Sequence, residues 1–154
     1  MALAQQDDKP QTIALCMIVK DEAEVILRCL NSVSSFVDHY IICDTGSTDG
    51  TQEKLRKHFK ENKLKGVVYD RPWVNFAHNR QEAFDYGKGK ADYIMTLDAD
   101  EVFAPLTDGR PDLTKKVNGL SKFTCQRVDV KTHYGPVIYS RPQFFKNDIN
   151  WLWE

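Results

Sequence analysis

No stretch of this chain approaches the roughly 20 consecutive apolar residues that span a bilayer, and residues 1–10 are polar and acidic, unlike a secretory signal. Those two absences predict a protein with no transmembrane segment, placed in the cytoplasm. Charge of one sign is lacking too. Lysine plus arginine number 21 against 22 aspartate plus glutamate, a formal net charge of -1, which argues against nucleic acid as a partner. The basic stretch 54–65 reads as a solvated helix face. Cysteine is scarce, and Cys16, Cys29, Cys43 and Cys125 form no C-x-x-C pair, so a zinc site is disfavoured. Free thiols behaving as small buried hydrophobes account for them and suit a reducing compartment. There is no G-x-x-x-x-G-K-[ST], G-x-G-x-x-G or G-x-S-x-G, which disfavours a P-loop NTPase, a dinucleotide dehydrogenase and a serine hydrolase. His39, His58, His78 and His133 are scattered without metal-ligand spacing.

What is present is the pattern of one ordinary globular domain: 154 residues, 42% hydrophobic and 28% charged. Residues 12–19 form an apolar run that suits a strand covered on both faces. Lys20-Asp21-Glu22 then puts acids where a helix is expected to start, and Val25, Ile26, Cys29, Leu30 and Val33 follow at helical spacing. Strands are predicted at 40–43 and 66–70 and helices at 51–62 and 75–86, with Asp49 and Gln52 resembling a capping box. The last apolar run, 93–97, ends in Leu97-Asp98-Ala99-Asp100-Glu101. On a strand, residues two apart share a side, so Asp98 and Asp100 are expected to aim at one spot.

Alternating strands and helices imply an α/β fold with a mostly parallel sheet and ligands beyond the carboxyl ends of its strands. Lys20-Asp21, Asp44 and Asp98 with Asp100 all lie at such ends. A paired carboxylate there can hold Mn2+ or Mg2+ that also binds a diphosphate; on its own, Asp-x-Asp equally fits a solvated loop. Asp44 could accept hydrogen bonds from a base or ribose, or instead close an Asx-turn in the loop after it. Arg80 could fork onto phosphate, or run out past Phe76 as an exposed helix cation. Past Phe103 the character changes: 103–119 reads as a loop with a short helix near 113–117. Residues 123–132 and 136–146 read as antiparallel strands turning at 133–135. Two tryptophans near the end, Trp151 and Trp153, suggest an exposed apolar end that wants a partner surface, as in a chain cut from a longer protein, or a terminus folded back on the sheet.

Taken together, the segment from Ile13 through Lys20-Asp21-Glu22, Ile42-Cys43-Asp44-Thr45-Gly46-Ser47-Thr48-Asp49-Gly50-Thr51, Phe76-Ala77-His78-Asn79-Arg80 and Leu97-Asp98-Ala99-Asp100-Glu101 resemble glycosyltransferase family 2 in order and spacing. The likeness covers 12–101 and continues more weakly through Arg141-Pro142-Gln143-Phe144-Phe145-Lys146 to Glu154. It implies a GT-A fold: a Rossmann-like, mostly parallel sheet flanked by helices, with an antiparallel extension after the Asp-x-Asp motif. The implied organisation is a single domain with a flexible N-terminus at 1–11, a nucleotide-sugar-binding α/β half at 12–103, and the incomplete start of an acceptor-side half at 104–154.

The implied activity is metal-dependent transfer of a sugar from a nucleoside diphosphate, UDP first among them, to an unidentified acceptor with inversion. By that resemblance Ile18, Val19, Lys20, Asp44, Arg80, Asp98 and Ala99 bind the nucleotide-sugar, and Asp98 and Asp100 hold the Mn2+ or Mg2+. The family often places a Thr and an aromatic in its first loop, where this chain has Ile18 and Lys20, which puts base stacking and the uridine preference in question. The catalytic base is expected beyond Glu154. Two other readings stay open: a nucleotide-sugar-binding module without turnover, and nucleotidyl transfer.

Overall fold

The computed structural model describes residues 11–104 and 125–154. Strands β1 (Ile13–Val19), β2 (His39–Asp44), β3 (Gly66–Asp70) and β4 (Tyr93–Met95) alternate with helices α1 (Ile26–Val33), α2 (Thr51–Glu61) and α3 (Phe76–Gly87), and the hairpin β5 (Arg127–Tyr134) and β6 (Val137–Lys146) follows. The sheet order is β3-β2-β1-β4-β6-β5. The first four strands are parallel, and β6 runs antiparallel to both β4 and β5. This is the mostly parallel α/β sheet with an antiparallel extension that the residue pattern predicts. No helix among the described residues is long and apolar enough to cross a membrane. The expected flexible stretch 1–11, apart from Gln11, and most of the loop and short helix expected at 103–119 lie outside the described residues.

The period of two along β1 builds two cores. Ile13, Leu15, Met17 and Val19 face Ile26, Cys29, Leu30 and Val33 of α1 and Leu55 and Phe59 of α2. Ala14 and Cys16 face the other way, with Ile41, Cys43 and Ile94, onto Ala83 and Phe84 of α3. Covered on both sides, β1 and β2 need the continuous apolar runs that the sequence gives them. The Cys29 and Cys43 thiols are pushed up to about 12 by burial, so they pack as hydrophobes. Cys125 is the exception among the four, being exposed.

Several local expectations are corrected. The acids Asp21 and Glu22 do not start α1, which begins at Ile26 with no acid in its first turn. Asp21 has φ +55°, a left-handed conformation that breaks the helical path and that Asp tolerates. No capping box forms at α2: its N-cap is Gly50, Asp49 accepts from the Thr51 amide at 3.0 Å, and Gln52 turns to Asp44. The hairpin turn begins two residues later than expected, at Gly135-Pro136, where Gly135 takes φ +55°. Pro142 cannot donate to the β5–β6 ladder, and the register slips beside it, between Val128 and Asp129. Trp151 and Trp153 are not an exposed apolar end; they fold back against the second core, with ring centroids 5.3 Å (Trp151) from Phe145 and 5.5 Å (Trp153) from Phe84.

Candidate functional site

β4 stops at Met95, three residues short of Asp98, so strand alternation is not what presents the acid pair. A turn does. The Glu101 amide donates to the Asp98 carbonyl at 3.0 Å, and the Asp98 amide donates back to Glu101 Oε2 at 3.0 Å. Asp98 then meets arginines on both oxygens: Arg80 Nη2 at 3.3 Å from Oδ1 and Arg141 Nη1 at 3.1 Å from Oδ2. Arg141 also pairs with Glu101, tying β6 to the turn. The Asp100 carboxylate is exposed and has no hydrogen bond or ion pair among the described residues.

The loops after β1 and β2 are stitched together by their acids. Asp21 Oδ1 accepts from the Thr48 amide at 2.7 Å, and the Asp21 amide donates to Ser47 Oγ at 2.8 Å. Asp49 Oδ2 accepts from the Ala23 amide at 2.9 Å. Asp44 is fully buried and makes the Asx-turn: its Oδ1 accepts from the amides of Gly46 (3.0 Å) and Ser47 (2.8 Å) and from Gln52 Nε2 (2.9 Å). Burial pulls the Asp44 carboxyl upward, but those hydrogen bonds from Ser47, Gln52 and Gly46 outweigh it and hold the group below its ordinary range. Its Oδ2 is buried with no hydrogen-bond partner among the described residues.

Over these strand ends lies a cavity of about 580 Å3, a size that suits a nucleotide-sugar. Ile18, Val19, Lys20, Arg80, Asp98, Ala99 and Asp100 all line it, as the resemblance implies. Asp44 does not; its neighbour Thr45 does, held by its amide at 2.9 Å and its hydroxyl at 3.1 Å from the Val19 carbonyl. Arg80 is not a loose surface cation. Its guanidinium lies between the Phe76 ring at 5.4 Å and the Trp153 ring at 5.2 Å while it reaches Asp98.

Four residues were missed in the sequence. Trp73 and Phe76 line the cavity as exposed aromatics, Glu22 lines it beside the acid pair, and Arg141 grips Asp98 from β6. Arg141 stands in the segment of weaker likeness, and Glu22 sits where the sequence pattern predicts a helix start. The Glu22 carboxyl is raised by partial burial and by the negative charge of Asp100, Asp49, Asp98 and Asp21. No three Asp, Glu, His or Cys side chains among the described residues are close enough to cage a metal ion by themselves. The hard-oxygen donor set fits an ion that one or two carboxylates bind and that completes its shell with phosphate oxygens and water.

Comparison with known proteins agrees with this geometry. The model of the family "Glycosyl transferase family 2" matches residues 14–118, more than half of the chain. A TPR repeat-containing protein of Synechococcus elongatus is 32% identical over 137 residues, covering 88% of this chain and 32% of that protein. The SPbeta prophage-derived glycosyltransferase SunS of Bacillus subtilis is 30% identical over 107 residues, covering 69% and 24%. The chain thus spans about a third or less of these relatives. Among solved structures, the mannosyltransferase PcManGT of Pyrobaculum calidifontis, in complex with GDP-Man and Mn2+, superposes with a TM-score of 0.53 at 18% identity over 62% of this chain and 29% of that one. S. aureus TarS 1-349 superposes with a TM-score of 0.50 at 20% identity over 59% of this chain and 28% of that one, and has also been solved in complex with UDP-GlcNAc. These likenesses show a shared GT-A fold. The chain belongs to glycosyl transferase family 2.

Proposed function

We propose that this domain binds a nucleoside diphosphate sugar with a divalent cation and takes part in inverting transfer of the sugar to an acceptor hydroxyl. The observation that carries the reading is the exposed Asp100 carboxylate, unpartnered among the described residues, beside Asp98 and Arg80 in one cavity at the carboxyl ends of the parallel strands. Asp100, with Asp98, would hold Mn2+ or Mg2+, and the bound ion would neutralise charge on the departing diphosphate. The Mn2+ in the PcManGT complex supports a divalent ion of this kind.

Arg80, packed against two rings, points its donors toward Asp98 and suits a phosphate oxygen. Ile18, Val19 and Ala99 give the cavity an aliphatic wall, Lys20 adds a cation at its rim, and Asp44, buried behind it, holds the loop that carries Thr45 into the lining. In the transfer, the acceptor oxygen bonds to the anomeric carbon as the bond from that carbon to the diphosphate oxygen breaks. The nucleoside diphosphate leaves, and a carboxylate on the far face of the sugar takes the acceptor's proton. UDP is the first donor to test, since UDP-GlcNAc occupies TarS. Calorimetry with UDP, GDP and dTDP, each with and without Mn2+, tests the reading. At least one should bind more tightly with the metal; no metal-enhanced binding of any of the three ends it.

A further inference from the structure

Trp73 is an oddity of the fold: a large aromatic left about half exposed, in a segment that is nonetheless firmly held. Asn79, fully buried on α3, grips the backbone on both sides of it. Its Nδ2 donates to the Pro72 carbonyl at 3.0 Å, and its Oδ1 accepts from the Val74 amide at 2.9 Å. Arg71, just before, is pinned to Glu82 by Nε at 3.0 Å and Nη2 at 2.6 Å, and Glu82 also accepts from Asn79. Phe76 stands edge-to-face against Trp73, with ring centroids 4.9 Å apart and planes at 83°. A surface Trp with no task needs neither the clamp nor the buttress. A preorganised aromatic face in a ligand cavity is a low-entropy contact surface.

Its position along the sheet says which part of a ligand it meets. The strand order places β3 at one edge and β4 on the far side of β1. Trp73 follows β3, Thr45 follows β2, Ile18 to Lys20 end β1, and Asp98 to Asp100 follow β4, all lining one cavity. The strands that lead to the aromatic ring and to the acids are therefore three strand spacings apart, about 14 Å. The ladder Trp73–Phe76–Arg80–Asp98 links the two ends through contacts of 4.9, 5.4 and 3.3 Å. A phosphate or a single sugar is too short to touch both ends. A nucleoside diphosphate has the required shape, anionic at one end and a flat π-system at the other.

We propose that Trp73 is the stacking platform for the donor's nucleobase, with Asn79 as its positioning residue, in place of an aromatic in the first loop, where Ile18 and Lys20 stand. The proposal rests on the nucleotide-sugar reading above.

The test uses the whole chain with UDP, uridine and inorganic pyrophosphate, in the presence of Mn2+. Trp73→Ala should weaken UDP and uridine binding by about 10- to 100-fold, the effect of losing one base–aromatic stack, and leave pyrophosphate binding unchanged. Trp73→Phe, which keeps the ring and the fold, should recover most of that loss. UDP should quench the tryptophan fluorescence of the unaltered chain, and Trp73→Phe should remove most of that quenching. Equal UDP affinity in Trp73→Ala overturns the proposal, as does a parallel loss of pyrophosphate affinity. If the unaltered chain binds no nucleotide at all, the donor reading falls first and the platform with it.

Discussion

Replacing Arg80 by Met separates what this residue does for the fold from what it does for the ligand. Met keeps the length and the apolar stem, so it still fills the space between Phe76 and Trp153. The fold loses two cation–π contacts of about 0.5–1 kcal/mol each and a partly exposed ion pair to Asp98 of about 0.2–1 kcal/mol. Sulfur–aromatic contacts return about 0.3–1.5 kcal/mol, so stability should fall by less than about 3 kcal/mol. The ligand loses a charge-assisted hydrogen bond of about 1.5–3 kcal/mol, which is about 10- to 150-fold in affinity. Calorimetry with UDP and Mn2+ should show that loss. Arg80→Lys should recover only part of it, because an ammonium cannot fork or lie flat between two rings. Mn2+ alone should bind Arg80→Met at least as well as the unaltered chain, since a competing cation has left Asp98. UDP affinity within twofold of the unaltered chain, or loss of Mn2+ affinity in step with UDP, refutes the reasoning.

Further outcomes follow from the same geometry. Glu22→Gln should stabilise the metal-free fold at neutral pH and weaken Mn2+ binding, because Glu22 sits in the field of four other acids. The folded form holds the Glu22 proton to higher pH than the unfolded chain, so the unaltered protein loses stability as pH rises above the ordinary carboxylate value. The advantage of Glu22→Gln in urea unfolding should therefore vanish near pH ~3, where both states are protonated; an equal advantage at both pH values contradicts the assignment. Gly87→Ala should destabilise by about 1–3 kcal/mol, since a Cβ there meets Cys16 Sγ at 2.6 Å and Ile94 at 3.3 Å; denaturant midpoints check it. Of the four thiols, Cys125 alone should react quickly with a thiol reagent in the folded protein, because burial raises the other three.

The parallel half of the fold was readable because strands buried on both faces must be apolar throughout, and β1 and β2 are found within a residue or two of where those runs lie, while the half-exposed edge strand β3 shows as a short run of strand-formers. The acid pair was found for a partly mistaken reason. Its alternation was read as strand geometry, but β4 ends at Met95 and a hydrogen-bonded turn presents Asp98 and Asp100. Asp44 shows the limit of assigning a role from residue type, since a carboxylate that caps its own loop and one that awaits a base look the same in sequence. Arg141 lies 43 residues from Asp98 and meets it only through the antiparallel pairing of β6 with β4, a register that no local pattern specifies. Trp73 sits in a loop without periodicity, where an aromatic gives no sign of whether it is buried, exposed or held. The clamp that distinguishes it comes from Asn79, whose own pattern within α3 reads as an ordinary polar position.

The central claim is that Asp100 binds a divalent ion jointly with a nucleoside diphosphate, and electron paramagnetic resonance of Mn2+ tests it directly. Free Mn2+ gives a six-line signal that is lost on binding. Adding UDP with the unaltered chain should deplete that signal well beyond UDP alone. With Asp100→Ala, shown to be folded by its unfolding transition, the depletion should return to the level of UDP alone. Equal depletion by Asp100→Ala and the unaltered chain would contradict the account.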